Sequence, residues 1–159
     1  RTITSQTIPP REQILALRGD ARRGALLLND TARLTCLQCH QFQGAGRAFG
    51  PDFKTAGKNK TRGQILDAIL QPSKEIAPEY ILHAIESEDD DFLSGIIVKR
   101  TPDKITLRDA SGLDHELPAK KVKSIRPQQL SAMPEGLLAG LTAQEIADLL
   151  EALVVEGGK

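Results

Sequence analysis

Two hydrophobic periodicities divide this chain. Ala21, Ala25 and Leu28 recur at helical spacing, flanked by Gly24, Leu26 and Leu27. They predict a helix from about Arg11 or Asp20 to Leu28, with Gly19 breaking it in two and Asn29-Asp30-Thr31 ending it. Thr61 to Leu70 reads as the next helix: Thr61 and Gln64 have capping-box spacing, and Ile65, Leu66, Ile69 and Leu70 form one apolar stripe. Pro72 stops it. A last helix is expected over Thr142 to Leu153, with a Thr142/Glu145 capping box and Ile146, Leu149, Leu150 and Leu153 on one side. Val154 to Lys159 reads as a fraying end. Between the second and third of these helices the period shortens. Tyr80–Glu86, Phe92–Arg100, Ile105–Asp109, Asp114–Leu117 and Val122–Ile125 are short and rich in β-formers, and turn signals at residues 88–91, 101–103 and 110–112 separate them. They predict an antiparallel meander of four or five strands, with the acidic run from Glu86 to Asp91 as a solvated hairpin tip.

The stretch that neither period covers holds the chemistry. Cys36-Leu37-Gln38-Cys39-His40 is a C-x-x-C-H sequence. Residues three and four apart share one face of a helical turn, so the two thiols and the imidazole are expected to point the same way. Haem c attachment needs that arrangement, with two thioethers to the vinyl groups and an imidazole to the iron. Other C-x-x-C chemistries compete. A structural zinc site wants four ligands, and among two Cys and three His, His83 and His115 have no finger-like spacing to the pair. A redox pair should accompany a βαβ pattern, which is missing. A disulfide fits two cysteines but does not account for the histidine. Haem c is the favoured reading.

Gln41 to Phe53 contains Gly44, Gly46, Gly50 and Pro51, which predict an irregular loop lying close to another group. If that group is porphyrin, Phe42, Phe49 and Phe53 are placed to pack around it. The Pro51 carbonyl is placed to accept the Nδ1–H of His40, and Arg47 to pair with a propionate. The competing readings are an ordinary Gly-Pro turn and a solvated arginine. Met133, the one methionine, lies in the Pro/Gly loop Ser131-Ala132-Met133-Pro134-Glu135-Gly136 and not on an apolar helix face. It is the expected sixth ligand, whose soft sulfur raises the potential of a His-ligated haem. His83 and His115 are expected to be surface residues of strands.

Composition narrows the picture. Lys+Arg and Asp+Glu balance at 21 each, so no nucleic-acid or anionic-membrane partner is indicated. No apolar run is long enough to span a bilayer, and no signal peptide precedes the motif. The chain starts at Arg1 without Met, as a mature product or a piece of something longer does. Aromatic residues make up only 3%, a core poor in rings that a large apolar cofactor would help fill.

Taken together, Cys36-x-x-Cys39-His40, Gly50-Pro51-Asp52 and a loop methionine before a terminal helix resemble a class I cytochrome c. The interval from His40 to Met133 suits a small member once the β section is set aside. More narrowly, Ile69-Leu70-Gln71-Pro72-Ser73, the β section and Ser131-Ala132-Met133-Pro134-Glu135-Gly136-Leu137 resemble the C-terminal haem-binding cytochrome c domain of planctomycete-type multidomain proteins. The likeness covers about residues 19 to 155. Ala152 departs from it, since many cytochromes c place an aromatic there against the N-terminal helix. The resemblance implies a mainly α cytochrome c fold, three or more helices around one covalent haem c, interrupted by a small antiparallel β-meander insertion. Residues 1–18 would be a tail or linker, 19–79 and 126–159 the cytochrome domain, and 80–125 the insertion. The implied function is single-electron transfer with His40 and Met133 as axial ligands, by a carrier and not an enzyme, in a periplasmic or otherwise extracytoplasmic compartment. Its redox partners would be a fused or docked dehydrogenase and a downstream acceptor. Two rivals are a haem-based ligand sensor or peroxidase-like enzyme with a displaceable sixth ligand, and a partner-recognition module using the β insertion.

Overall fold

The computed structural model describes residues 7–159; the first six residues of the expected tail lie outside the described residues. It corrects the expected fold class. The described residues form five α-helices, a five-stranded antiparallel sheet and a separate two-stranded one, so the chain is a mixed α/β protein and not a mainly α one. The reason is energetic. The β-forming stretch closes over an apolar core of its own, which makes it a full folding unit and not a decoration on helices. Two compact units result, one comprising the chain up to Gln71 with Glu135–Lys159, the other Pro72–Pro134. No helix among the described residues is long and apolar enough to cross a membrane.

The first unit holds α1 (Arg11–Ala16), α2 (Ala21–Asn29), α3 (Phe53–Ala56), α4 (Arg62–Leu70), α5 (Ala143–Gly157) and the hairpin of β1 (Gln41–Phe42) and β2 (Ala45–Gly46). Helix α5 is its axis and touches each of the other four helices. Ile146, Leu149, Leu150 and Leu153 of α5 join Ile14, Leu28, Leu34, Phe42, Phe53 and Leu66 in one core. Both expected capping boxes form, at Thr61/Gln64 and Thr142/Glu145, each satisfying two otherwise orphaned N–H groups. The end of α5 does not fray as expected: the helix runs to Gly157, and Glu156 is only 1% exposed.

Where α2 crosses α5 the backbones nearly touch. A Cβ on Gly24 would lie 2.0 Å from the Asp148 carbonyl oxygen and 2.8 Å from the Ala152 Cβ. Small residues on both sides therefore set the contact, which gives Ala152 its structural reason. The buried Asp148 carboxylate accepts two bonds from Arg23 (2.8 and 3.1 Å), one from the Asp20 N–H (2.8 Å) and one from Gln144 (2.9 Å). Burial pushes its pKa up, but those donors outweigh the burial and hold it below the usual carboxylate value.

The second unit is a meander of β3 (Leu82–Ser87), β4 (Phe92–Arg100), β5 (Lys104–Arg108) and β6 (Asp114–Pro118), after which β7 (Val122–Pro127) returns to pair with β3. All pairings are antiparallel, with Ile85 opposite both Leu93 and Ile125. Alternation along the strands turns Ile85, Ile105 and Leu107 into a small core, packed by Leu93, Ile97, Leu117, Val122 and Ile125. Residues 88–91 form an exposed turn after β3, braced by the Ser87 hydroxyl, which accepts the N–H groups of Asp89 and Asp91.

Candidate functional site

Residues 36–53 of the first unit are irregular because each short piece is fixed by a bond to its neighbour. Cys36 opens one turn of 3-10 helix, Cys36–Gln38. Both the Cys39 and His40 N–H groups donate to its carbonyl, at 3.2 and 2.9 Å. Leu37 buries into the core while Gln38 faces solvent, and both cysteines are half-buried free thiols. The chain then turns through β1–β2, with Gln43 and Gly44 both at positive φ (50° and 85°), as a two-residue hairpin loop requires. The return strand is tied back by the Arg47 N–H to the Leu37 carbonyl (3.0 Å) and the Phe49 N–H to the Cys39 carbonyl (3.1 Å).

These ties bring Gly50-Pro51 against the His40 ring. His40 Nδ1 lies 2.6 Å from the Pro51 carbonyl oxygen. A carbonyl only accepts, so Nδ1 carries the proton and Nε2 keeps its lone pair. The ring stacks on Phe53, with centroids 4.8 Å apart and planes inclined by 22°. Asp52 caps α3 by accepting the Lys54 N–H (2.8 Å), which fixes the helix carrying Phe53. Gly50 has to be glycine for the loop to come this close: a Cβ there would lie 2.7 Å from His40 Cε1. Burial lowers the His40 pKa, opposed only in part by the Pro51 bond, so the ring is neutral near pH 7. Burial also pushes the Cys36 thiol up to about 11. The Cys39 thiol is raised too, again by burial, with Arg47 pulling the other way.

The unit thus brings Cys36, Cys39, His40, Arg47 and Pro51 together along one segment. Arg47 is exposed. Phe49 is buried, and Phe42 and Phe53 belong to the core, inclined to each other with centroids 6.3 Å apart. Met133 lies in the other unit, half-buried, in the loop after β7, where its N–H donates to the Ser131 hydroxyl at 3.1 Å. His83 on β3 lies 3.1 Å from the Ile81 carbonyl, and His115 on β6 lies 2.7 Å from Asp109, so each has a local partner. Among the described residues no three His, Cys, Asp or Glu side chains converge as a metal site.

Two contacts were not legible in the sequence. Phe53 is expected to pack around a porphyrin, but its stack on the His40 ring is not. Glu156 makes the other. Its buried carboxylate accepts from Gln43 at the hairpin turn (3.3 Å) and pairs with Lys159 (3.1 Å), tying the hairpin to the end of α5. No family model and no curated protein matches the chain.

The group that the motif implies can be tested against these residues. A zinc ion would need the thiols and imidazole to converge on one point, whereas a haem c would take them at separate points, two at the porphyrin edge and one at the metal. Two thiols on one turn, and beside them an imidazole held through Nδ1 with Nε2 left as a donor, are the residues such a group would use.

Proposed function

We propose that this chain is a single-electron carrier built on one covalently bound haem c. The observation that carries the reading is the state of His40, whose Nδ1–H is taken by Pro51 at 2.6 Å while Phe53 stacks on its face. That is how a metal-binding imidazole is held, since the hydrogen bond fixes the tautomer and orients the ring. Cys36 and Cys39 would hold the haem as thioethers, each S–H adding across a vinyl group so that nothing else is consumed. Bound there, the haem supplies a one-electron Fe(III)/Fe(II) couple.

The chain's own residues do the rest. His40, held through Nδ1 by Pro51, would offer Nε2 to the iron. Arg47, exposed and a few residues beyond Cys39, would be available to pair with a propionate. Met133 would supply a second ligand, a role read only from its sequence setting in Ser131-Ala132-Met133-Pro134, and its thioether would favour the reduced state. Two such ligands would leave no position for substrate, which is the basis for reading the domain as a carrier. Electrons would come from a fused or docked dehydrogenase and leave to a downstream acceptor through small, short-lived interfaces. The proposed covalent attachment and the resemblance to cytochrome c domains support a role outside the cytoplasm.

The test is the optical spectrum of the purified protein, oxidised and reduced, beside that of Met133→Ala. A low-spin c-type spectrum whose weak far-red sulfur-to-iron band vanishes in the variant is expected. A high-spin spectrum unchanged by the substitution, and shifted by carbon monoxide, overturns the carrier reading in favour of a ligand sensor or peroxidase-like enzyme.

A further inference from the structure

We infer that Ser73 and Ser131 are positioning residues for Met133, forming a clasp that ties the methionine loop to the chain entering the sheet. The inference rests on Met133 being an iron ligand. Its physical basis is a chain of two hydrogen bonds. The Ser73 hydroxyl accepts the Ser131 N–H at 2.9 Å, and the Ser131 hydroxyl accepts the Met133 N–H at 3.1 Å. The two serines are 58 residues apart in sequence, with the whole of β3 to β7 between them. Between the clasp and the sheet along the chain, the Gln128 N–H donates to the Leu82 carbonyl at 2.8 Å, continuing the β3–β7 pairing by one step.

Prolines stiffen the clasp. Pro72 is buried and precedes Ser73, while Pro134 follows Met133, so the backbone next to each end has a fixed φ. All three residues of the clasp are half-buried, where a hydroxyl-to-amide bond is better shielded from water than on an open turn. With the clasp closed, Met133 is tied through Ser131 to Ser73, at the start of the same unit. This gives Ile69-Leu70-Gln71-Pro72-Ser73 and the methionine loop a shared purpose that neither shows alone.

The test is an imidazole titration of the ferric holoprotein, read from its visible spectrum. Met133→Ala should bind imidazole far more tightly than the native protein. Ser73→Ala and Ser131→Ala should each bind it about five- to tenfold more tightly, the equilibrium equivalent of one lost hydrogen bond. Ser73→Thr, which keeps the hydroxyl, should match the native affinity. Native affinity in both alanine variants, with Met133→Ala still distinct, overturns the clasp and leaves the ligand standing. Equal affinity in the native protein and Met133→Ala removes the ligand and the inference with it. Amide hydrogen exchange adds a readout that needs neither spectrum nor turnover. The Ser131 and Met133 amides should be protected in the native protein and in Ser73→Thr. Rapid exchange of both in the native protein overturns the clasp even where an alanine variant fails to fold.

Discussion

The two units bury apolar residues by different means, and the difference tells where the chemistry can sit. In the first, one long helix serves four others, and the core reaches from Ile14 to Leu153. Such a core can hold an irregular segment against itself, and residues 36–53 are held that way, by Leu37, Phe42 and Phe53 on the inside and backbone bonds between turns. In the second, three fully buried residues and their neighbours suffice to close a small sheet. Its ion pairs lie both near turns, Arg108 with Asp114, His115 with Asp109 and Lys121 with Asp89, and between strands, Lys104 with Glu116 and Lys123 with Glu86. It carries one residue of candidate chemistry, Met133, beyond its last strand.

Core truncation sharpens that contrast most. Leu150→Ala removes a side chain with no exposure from the axis helix and should destabilise the first unit by about 3–5 kcal/mol. Leu107→Ala, equally buried in the sheet, should cost about 2–4 kcal/mol and unfold the second unit first. Urea unfolding followed by amide exchange in each unit separates the two. Identical loss of protection throughout the chain in both variants would break the distinction between units.

Gly50→Ala comes next. Its Cβ would lie 2.7 Å from His40 Cε1, so the ring must move off Pro51 or Phe53, an overpacking worth about 1–3 kcal/mol. The expected outcome is a lower yield of haem-loaded protein, with the sheet's amide protection unchanged. Asp148→Asn is smaller and pH-dependent. The native carboxylate is held below its usual pKa, so its contribution is present above the ordinary carboxylate range and lost as pH falls through the folded value. The variant should be less stable at pH 7 by about 1–2 kcal/mol and should show a shallower acid limb in pH-dependent unfolding.

The smallest effect expected is on the alkaline side of haem-free protein. Cys36 has its pKa raised by burial to about 11 against an ordinary 9.0. Its thiol therefore stabilises the fold fully below pH 9, and that contribution fades as pH rises towards about 11. Thermal melts should decline over that window in haem-free native protein and more gently in Cys36→Ala. No decline in the native protein would mean the thiol is not buried as described.

Much of this was legible because it is local. Capping boxes at Thr61 and Thr142, alternation from Leu82 to Pro127 and the C-x-x-C-H turn are short-range patterns, and each appears where the sequence puts it. The fold class was misjudged by giving a five-residue motif more weight than the strand-forming residues of a whole unit. What stayed hidden depends on residues far apart in the chain. The Arg23–Asp148 pair joins positions 125 apart, and Glu156 looks like part of a polar end until Gln43 is seen reaching it from the hairpin. The Pro51 acceptor was readable as one of two outcomes for that Gly-Pro, an ordinary turn being the other. The Phe53 stack was not, since nothing in the spacing says which face of the ring an aromatic will cover.

The central claim, a haem held by Cys36 and Cys39, is tested most directly by the mass of the chain after acid extraction in organic solvent. The account predicts that the native protein, purified from cells able to attach haem c, keeps the mass of one haem through denaturation, and that the Cys36→Ala/Cys39→Ala double variant loses it. A native chain that weighs no more than its sequence under the same treatment would contradict it.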